Sequence, residues 1–206
     1  MKPSQGLELE IRVLARVLVA GAALTICGTG TGGAQRPQTR RGFWIGAGLG
    51  YGSLARTCDR CVNTVSEGAL TAYLKLGATV APQLVMGGEV SGWRKDLQGM
   101  IVTSVNASVT SYVYLKPTSG FFFKGGFGLS WYRENPALKD PSDTVGTTGF
   151  GITAGLGYDL RVGDNISLTP VGNFVFGSLG NLRLRRQLVP NVQYTLLQLG
   201  LGVTFH

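Results

Sequence analysis

The chain has 206 residues and a formal net charge of +8 at pH 7. Its 32 glycines are about twice the usual share of roughly 7%, whereas the 15% of charged residues falls well below the usual share of about 25%. This composition excludes most charge-coated soluble domains. Collagen and a disordered chain are also excluded, because the glycines follow no triplet period and 44% of the residues are hydrophobic.

Residues 1–35 have the organisation of a cleavable secretory signal peptide. An uncharged apolar stretch, Val17 to Cys27, follows basic residues and precedes a run of small residues that ends at Ala34. The stretch is shorter than the roughly 20 residues that a membrane-spanning helix needs. A lipidated Cys27 is the alternative, although Ile26 occupies a position where a lipoprotein signal has a small residue.

From residue 43 onward, apolar side chains recur at every second position, which is the period of a β-strand with two different faces. One face of the first segment carries Phe43, Ile45, Ala47, Leu49 and Tyr51, whereas the other carries glycines. Further segments of this kind start near Leu70, Leu84, Ile101, Phe121, Thr148, Ile166 and Asn191. The pattern predicts eight strands of about ten residues or more, the length that a tilted strand needs to cross a bilayer.

The predicted connections alternate between longer loops and tight turns, as they do in outer-membrane barrels. Residues typical of turns occupy 81–83, 117–119 and 163–165. The longer loops are predicted at 57–67, 94–99, 133–146 and 179–190. Both termini then lie at the periplasmic end of the barrel. Pro170 falls inside a predicted strand, where it predicts a β-bulge.

The polar face of the strands indicates a narrow interior rather than a water-covered surface. It consists mostly of Gly, Ser, Thr and Asn, whereas a surface in water would be about 25–35% charged. The few charges that it carries are predicted to form a mixed-sign network in the lumen: Lys75, Glu89, Lys124, Asp159 and Arg161. Aromatic girdles at the membrane interfaces are predicted from Phe43, Tyr51, Phe121, Trp131, Phe150, Tyr158 and Phe205.

Four motifs add a family resemblance to this pattern. They are Ala47-Gly48-Leu49-Gly50-Tyr51, its recurrence at residues 154–158, Leu168-Thr169-Pro170, and a closing strand that ends at Phe205. With them, residues 42–206 resemble the eight-stranded outer-membrane β-barrels of the OmpA/OmpX-like family.

The resemblance implies an all-β, membrane-spanning, eight-stranded antiparallel up-and-down barrel in the bacterial outer membrane. Residues 36–41 would form a periplasmic N-terminal tail, and both termini would lie in the periplasm. The resemblance further implies that Phe205 is the assembly signal read by the barrel-assembly machinery, although His206 follows it.

Cys58 and Cys61 form a C-x-x-C motif in the first long loop, a spacing shared by redox motifs, half zinc sites and small disulfide loops. An oxidising exterior favours the disulfide. Zinc needs about four ligands, and neither another cysteine of the mature chain nor a nearby histidine could supply them. We therefore predict neither a metal nor a cofactor.

The sequence predicts a non-enzymatic function, because its single histidine, His206, lies at the periplasmic tip, away from a possible general-base position. The basic residues are split between opposite ends, which argues against nucleic acid as a partner. Contact with lipopolysaccharide phosphates is predicted for Arg183, Arg185 and Arg186, with a solvated loop as the alternative. Outer-membrane lipids are the other predicted partners.

The leading functional hypothesis is a barrel that contributes to envelope integrity or surface interaction. A narrow channel, or a carrier of lipid or another small ligand, is one alternative. A soluble secreted ligand-binding barrel is the other.

Overall fold

The computed structural model describes residues 40, 42–57, 66–97, 99–136, 145–184 and 187–206. The predictions for the signal peptide (residues 1–35), Cys58, Cys61, Arg185 and Arg186 fall outside the described residues. Within the described ranges, no helix is long and apolar enough to cross a membrane.

The described residues form nine β-strands. They are β1 Phe43–Thr57, β2 Ser66–Ala81, β3 Leu84–Leu97, β4 Met100–Tyr114, β5 Phe121–Pro136, β6 Val145–Tyr158, β7 Leu160–Arg161, β8 Ile166–Leu184 and β9 Gln187–Phe205. The two-residue strand β7 continues β6 beyond Asp159, and both pair with β8. Because β6 and β7 together occupy one strand position, the barrel has eight strands.

Neighbouring strands pair in antiparallel register all the way around the sheet. The barrel closes where β1 pairs with β9, from Ile45 opposite Phe205 to Thr57 opposite Gln193. A closed ladder leaves no sheet edge with unpaired backbone groups, which is the condition for strands to cross a bilayer. The predicted eight-stranded antiparallel up-and-down barrel is confirmed.

The bulge predicted at Pro170 is wrong. Gly157 pairs with Val171 before the interruption at Asp159, and Leu160 pairs with Leu168 after it, so the register is the same on both sides and no extra residue is inserted. Pro170 itself stays in register with β9. Because proline has no N–H to donate, the missing ladder bond is accommodated by a local break between β6 and β7.

The two ends of the barrel differ in their connections. We call the end with the short connections at 82–83, 115–120 and 162–165 the turn end, and the opposite end the loop end. Two loops predicted at the loop end are wrong. The first is largely strand, because β3 runs to Leu97 and β4 begins at Met100. Gly99 adopts φ +86° there, in the left-handed region that glycine tolerates best.

The second wrong loop, predicted at 179–190, is also mostly strand. Pairing between β8 and β9 continues to Leu184 opposite Gln187. The physical reason is visible in the sequence, where leucine and arginine alternate from Leu182 to Arg185 with the period of a strand. Register shifts between Ser178 and Leu182 adjust the two strands to each other.

The outer face of the barrel is apolar, as the alternation predicts. Leu49 and Leu70 are 71% and 75% exposed, and similar residues cover every long strand. Of the aromatic residues predicted for the girdles, five are exposed large hydrophobics: Phe43, Tyr51, Trp131, Phe150 and Phe205. The other two, Phe121 and Tyr158, are half-buried. A surface of this kind needs an apolar solvent.

The inner face departs from the predicted lining of small polar residues, because large side chains fill both ends of the lumen. A turn-end cluster consists of Trp44, Val85, Tyr112, Tyr114 and Phe122. A loop-end cluster consists of Leu54, Ala69, Trp93, Val102, Tyr132, Val175, Leu179, Val192, Tyr194 and Leu196. The lumen of the described barrel is therefore packed at both ends with a polar layer between them.

Candidate functional site

An ion pair lies in the polar layer of the lumen. Glu89 on β3 and Lys124 on β5 occupy inward-facing positions, and Lys124 Nζ lies 2.5 Å and 2.6 Å from the two carboxylate oxygens of Glu89. Tyr112 donates a further hydrogen bond to Glu89 Oε2 at 2.5 Å. Both charged side chains are almost fully buried. Each charge therefore depends on the other, since an unpaired charge in this environment is costly.

Lys75 lies beside the ion pair and is held differently. It is opposite Glu89 in the β2–β3 register, but its Nζ lies among aromatic rings of the turn-end cluster. The distances to the ring centroids are 5.2 Å for Trp44, 5.4 Å for Tyr112 and 5.6 Å for Phe122. These are cation–π distances, so the rings stabilise a buried ammonium group.

Glycines make room for aromatic rings along the inner wall of the barrel. A Cβ atom on Gly48 would lie 2.5 Å from Tyr73 Cζ, and one on Gly177 would lie 2.1 Å from Tyr194 Cε1. Both positions require glycine because each ring lies directly over the glycine opposite it on the adjacent strand, Gly48 opposite Tyr73 and Gly177 opposite Tyr194. The glycine content of the inner face thus makes room for aromatic side chains rather than for a pore.

Hydrogen bonds join the polar layer to the loop-end cluster. Tyr194 donates to Ser130 Oγ at 3.0 Å, and Ser130 donates to Asn106 Oδ1 at 3.0 Å. Trp93, which is 1% exposed, donates from Nε1 to the carbonyl oxygen of Gly52 at 3.0 Å. These bonds fix side chains from several strands at defined positions across the lumen.

A second polar cluster closes the turn end around Asp159. This carboxylate accepts hydrogen bonds from Tyr114 at 2.8 Å and from Thr169 Oγ1 at 2.7 Å. The guanidinium group of Arg40 lies 3.4 Å from the centroid of the Tyr114 ring. Arg40 also donates to the carbonyl oxygen of Ser119 at 2.7 Å. Arg40, three residues before β1, is thereby held at the turn end.

His206 packs against the same cluster, with Nε2 at 3.8 Å from Asp159 Oδ2. Burial lowers the pKa of His206 to about 4; the attraction of Asp159 opposes this shift, and the nearby Arg40 and Arg161 reinforce it. The imidazole is therefore neutral near pH 7. In this position it is a packed, uncharged side chain at the turn end.

The five predicted lumen charges do not form one network. Glu89 and Lys124 form the central pair, Lys75 lies among aromatic rings, and Asp159 belongs to the turn-end polar cluster. Arg161 lies further out, where its Nη2 donates to the carbonyl oxygen of Asp164 in the last tight turn.

Sequence reasoning missed the aromatic lining of the lumen. The two-residue alternation could have identified this lining, because it places Trp44, Trp93 and Tyr132 at inward positions. The lining was hard to recognise in the sequence because aromatic side chains are common on both faces of this barrel.

The loop-end rim holds two more inward-facing ion pairs. Arg56 on β1 pairs with Glu134 on β5 and donates to the Tyr132 hydroxyl at 3.1 Å. Lys95 on β3 pairs with Glu67 on β2. Both pairs are partly exposed, so each contributes little to stability by itself.

Among the described residues, no three side chains of His, Cys, Asp or Glu come together as a metal site. In the lumen, Glu89 and Lys124 neutralise each other, and large side chains fill the two ends.

Solved structures with a similar fold are outer-membrane barrels. Neisserial surface protein A has a TM-score of 0.54 and 17% identity, and the match covers 82% of this chain and 99% of that one. Ail, the attachment invasion locus protein of Yersinia pestis, has a TM-score of 0.55 and 12% identity, with 80% and 99% covered.

A second structure of Ail, in complex with the heparin analogue sucrose octasulfate, has a TM-score of 0.51 and 14% identity, with the same coverage. No protein-family model and no curated protein matches the sequence. The chain has the fold of the eight-stranded β-barrels of the bacterial outer membrane.

Proposed function

We propose that the chain is an integral outer-membrane protein with a closed lumen, and that it acts without catalysis, through envelope integrity or surface contact. The observation that carries this proposal is the filled lumen: two clusters of large side chains flank a buried ion pair, and the rings of one cluster surround the buried ammonium group of Lys75. An eight-stranded barrel has an interior just wide enough for its side chains to fill.

The proposed location is supported by the distribution of polarity. The outer wall exposes leucine, valine and phenylalanine, whereas the buried Glu89, Lys124 and Asp159 are inside. A soluble ligand-binding barrel needs the reverse arrangement, with an apolar interior for its ligand and a polar wall. This inversion disfavours the soluble alternative.

The proposed orientation has both termini in the periplasm and the loop end outside the cell. Arg40 and His206 lie together at the turn end, in agreement with the short periplasmic turns of such barrels. Phe205 faces outward at the seam, opposite both Ile45 and Ile166. An exposed aromatic side chain at this seam is suited to contact with the barrel-assembly machinery.

Surface contact is supported by the length of the last hairpin. Strands β8 and β9 have 19 residues each, whereas a bilayer needs about 9–11, so the hairpin extends past the membrane. In the sequence, Arg183 belongs to β8, and Arg185 and Arg186 stand between Leu184 and Gln187. We assign to these arginines contact with the phosphates of lipopolysaccharide, because guanidinium groups bind such oxyanions in a bidentate manner.

Ion conductance is the experiment that separates this proposal from the channel alternative. Planar bilayers that contain the folded wild-type protein should show no discrete conductance steps above those of protein-free bilayers, because packed side chains block both ends of the lumen. Circular dichroism of the same sample should first show folded β-sheet. Reproducible steps from the folded wild-type protein would contradict the closed lumen and favour the channel.

A further inference from the structure

The outer face of the barrel carries two neighbouring arginines, Arg94 and Arg133, that have no ion-pair partner among the described residues. Arg94 on β3 is opposite Thr103 on β4, and Thr103 is opposite Arg133 on β5, so the three residues form one row across adjacent strands. Arg94 and Arg133 are exposed, and Thr103 is half-buried. All three belong to the face that also bears Val90, Val105 and Trp131.

The row lies where the apolar wall ends. From Leu84 to Arg94, β3 rises by roughly 33 Å at about 3.3 Å per residue, which is about 25 Å along the barrel axis for a tilt of about 40°. The interval from Phe123 to Arg133 on β5 has the same length. Since the apolar band of such barrels is about 25 Å tall, the arginines stand at the level of the lipid headgroups.

Among the loop-end cations whose side chains the structure describes, Arg56 and Lys95 have ion-pair partners, but Arg94 and Arg133 do not. Arg56 and Lys95 face inward, and each pairs with a glutamate. Within the described part of the chain, neither Arg94 nor Arg133 has an ion pair or a hydrogen bond through its side chain. Asp96 is the nearest acidic residue on the outer face of β3, and it accepts a hydrogen bond from the N–H of Gly99 at 3.0 Å.

Among the described side chains, the outward-facing positive charge at the loop end is confined to β3 and β5. The outward-facing loop-end residues described on the other strands are neutral: Ser53, Ser66, Thr148, Ser178, Gln193 and Thr195. The row therefore presents two guanidinium groups and a hydroxyl group to the lipid on one side of the barrel. Trp131 lies two residues below Arg133 on the same face, as an aromatic residue does at a membrane interface.

We propose that Arg94, Thr103 and Arg133 form a binding site for the phosphate groups of a membrane lipid, the headgroup chemistry that lipopolysaccharide offers. Two arginines separated by one strand are about 10 Å apart at the backbone, so their long side chains can hold one phosphate between them or two phosphates side by side. Membrane lipid is the favoured source because the row faces sideways, next to the apolar band. This site depends on the proposed membrane location.

The test uses the full chain folded in phosphatidylcholine nanodiscs that contain lipid A with two phosphates or with none. Native mass spectrometry measures the lipid A that stays bound. Wild type should retain the diphosphorylated form preferentially, and Arg94→Gln/Arg133→Gln should lower that retention about tenfold or more. The control Lys116→Gln removes an exposed cation at the turn end and should retain lipid A as wild type does.

Three results would overturn the site. One is equal retention of lipid A with and without phosphate, and another is unchanged retention in Arg94→Gln/Arg133→Gln while Arg183→Gln/Arg185→Gln/Arg186→Gln loses it. The third is binding of soluble heparin that depends on Arg94 and Arg133, which would reassign the row to a soluble polyanion. A wild-type protein that fails to enter nanodiscs would instead contradict the proposed membrane location.

Discussion

Replacing Glu89 with alanine should lower the free energy of unfolding in lipid by about 3–5 kcal/mol, the cost typical of breaking a buried ion pair. The substitution leaves the ammonium group of Lys124 without its carboxylate and the hydroxyl group of Tyr112 without its acceptor. Urea titration of the protein in phosphatidylcholine vesicles, followed by tryptophan fluorescence, measures the change.

Two comparisons make this result specific. Glu89→Ala/Lys124→Leu should recover part of the loss, because no charge is then left unpaired. Glu67→Ala breaks the partly exposed pair with Lys95 and should cost at most about 1 kcal/mol. Equal small losses for Glu89→Ala and Glu67→Ala would show that the lumen around Glu89 is hydrated and open.

Replacing Leu74 with arginine should cost about 2–4 kcal/mol in lipid. Leu74 lies near the middle of β2 on the outer face and is 48% exposed, so the guanidinium group would enter the hydrocarbon. Ser66→Arg is the matched control, because it places the same side chain on the same face at the loop end of β2, where the cost should fall to about 0–1 kcal/mol.

The same vesicle titration compares the two variants. A similar loss for Leu74→Arg and Ser66→Arg would contradict the depth assignment. No loss for either variant would show that the outer face does not contact lipid.

The strands and their faces could be predicted because the bilayer imposes a strict rule on every second residue. Within the apolar band, each outward position needs a side chain that lipid accepts, so the two-residue period is visible from Phe43 to Phe205. The tight turns follow from local turn chemistry, as at Pro82.

The loop-end boundaries could not be predicted equally well, because that rule no longer applies beyond the lipid. The hairpin of β8 and β9 continues with alternating leucine and arginine, a weaker pattern that resembles a loop in composition. The bulge predicted at Pro170 was wrong for another reason. The strand opposite Pro170 is interrupted at Asp159, between β6 and β7, so the missing N–H of the proline needs no bulge. This interruption can be recognised only once the register of the strands is known.

The contacts in the lumen depend on distances that the sequence does not contain. Alternation places Lys75, Glu89 and Lys124 inside, but it does not say which cation reaches the carboxylate. Lys75 is the neighbour of Glu89 in register, yet Lys124, two strands away, makes the ion pair. The choice follows from the aromatic rings around Lys75, which depend on the packing of the whole turn end.

Quenching of tryptophan fluorescence by lipid shows whether the protein is a membrane barrel with an apolar outer wall and a filled lumen. Trp131 faces outward and is 38% exposed, whereas Trp44 and Trp93 are buried in the lumen. Two single-tryptophan variants separate the environments: Trp44→Phe/Trp93→Phe keeps Trp131, and Trp44→Phe/Trp131→Phe keeps Trp93. In vesicles of lipid brominated near the top of the acyl chain, Trp131 should be strongly quenched and Trp93 only weakly. Equal quenching of Trp131 and Trp93, or no quenching of either, would contradict a lipid-facing outer wall around a filled lumen.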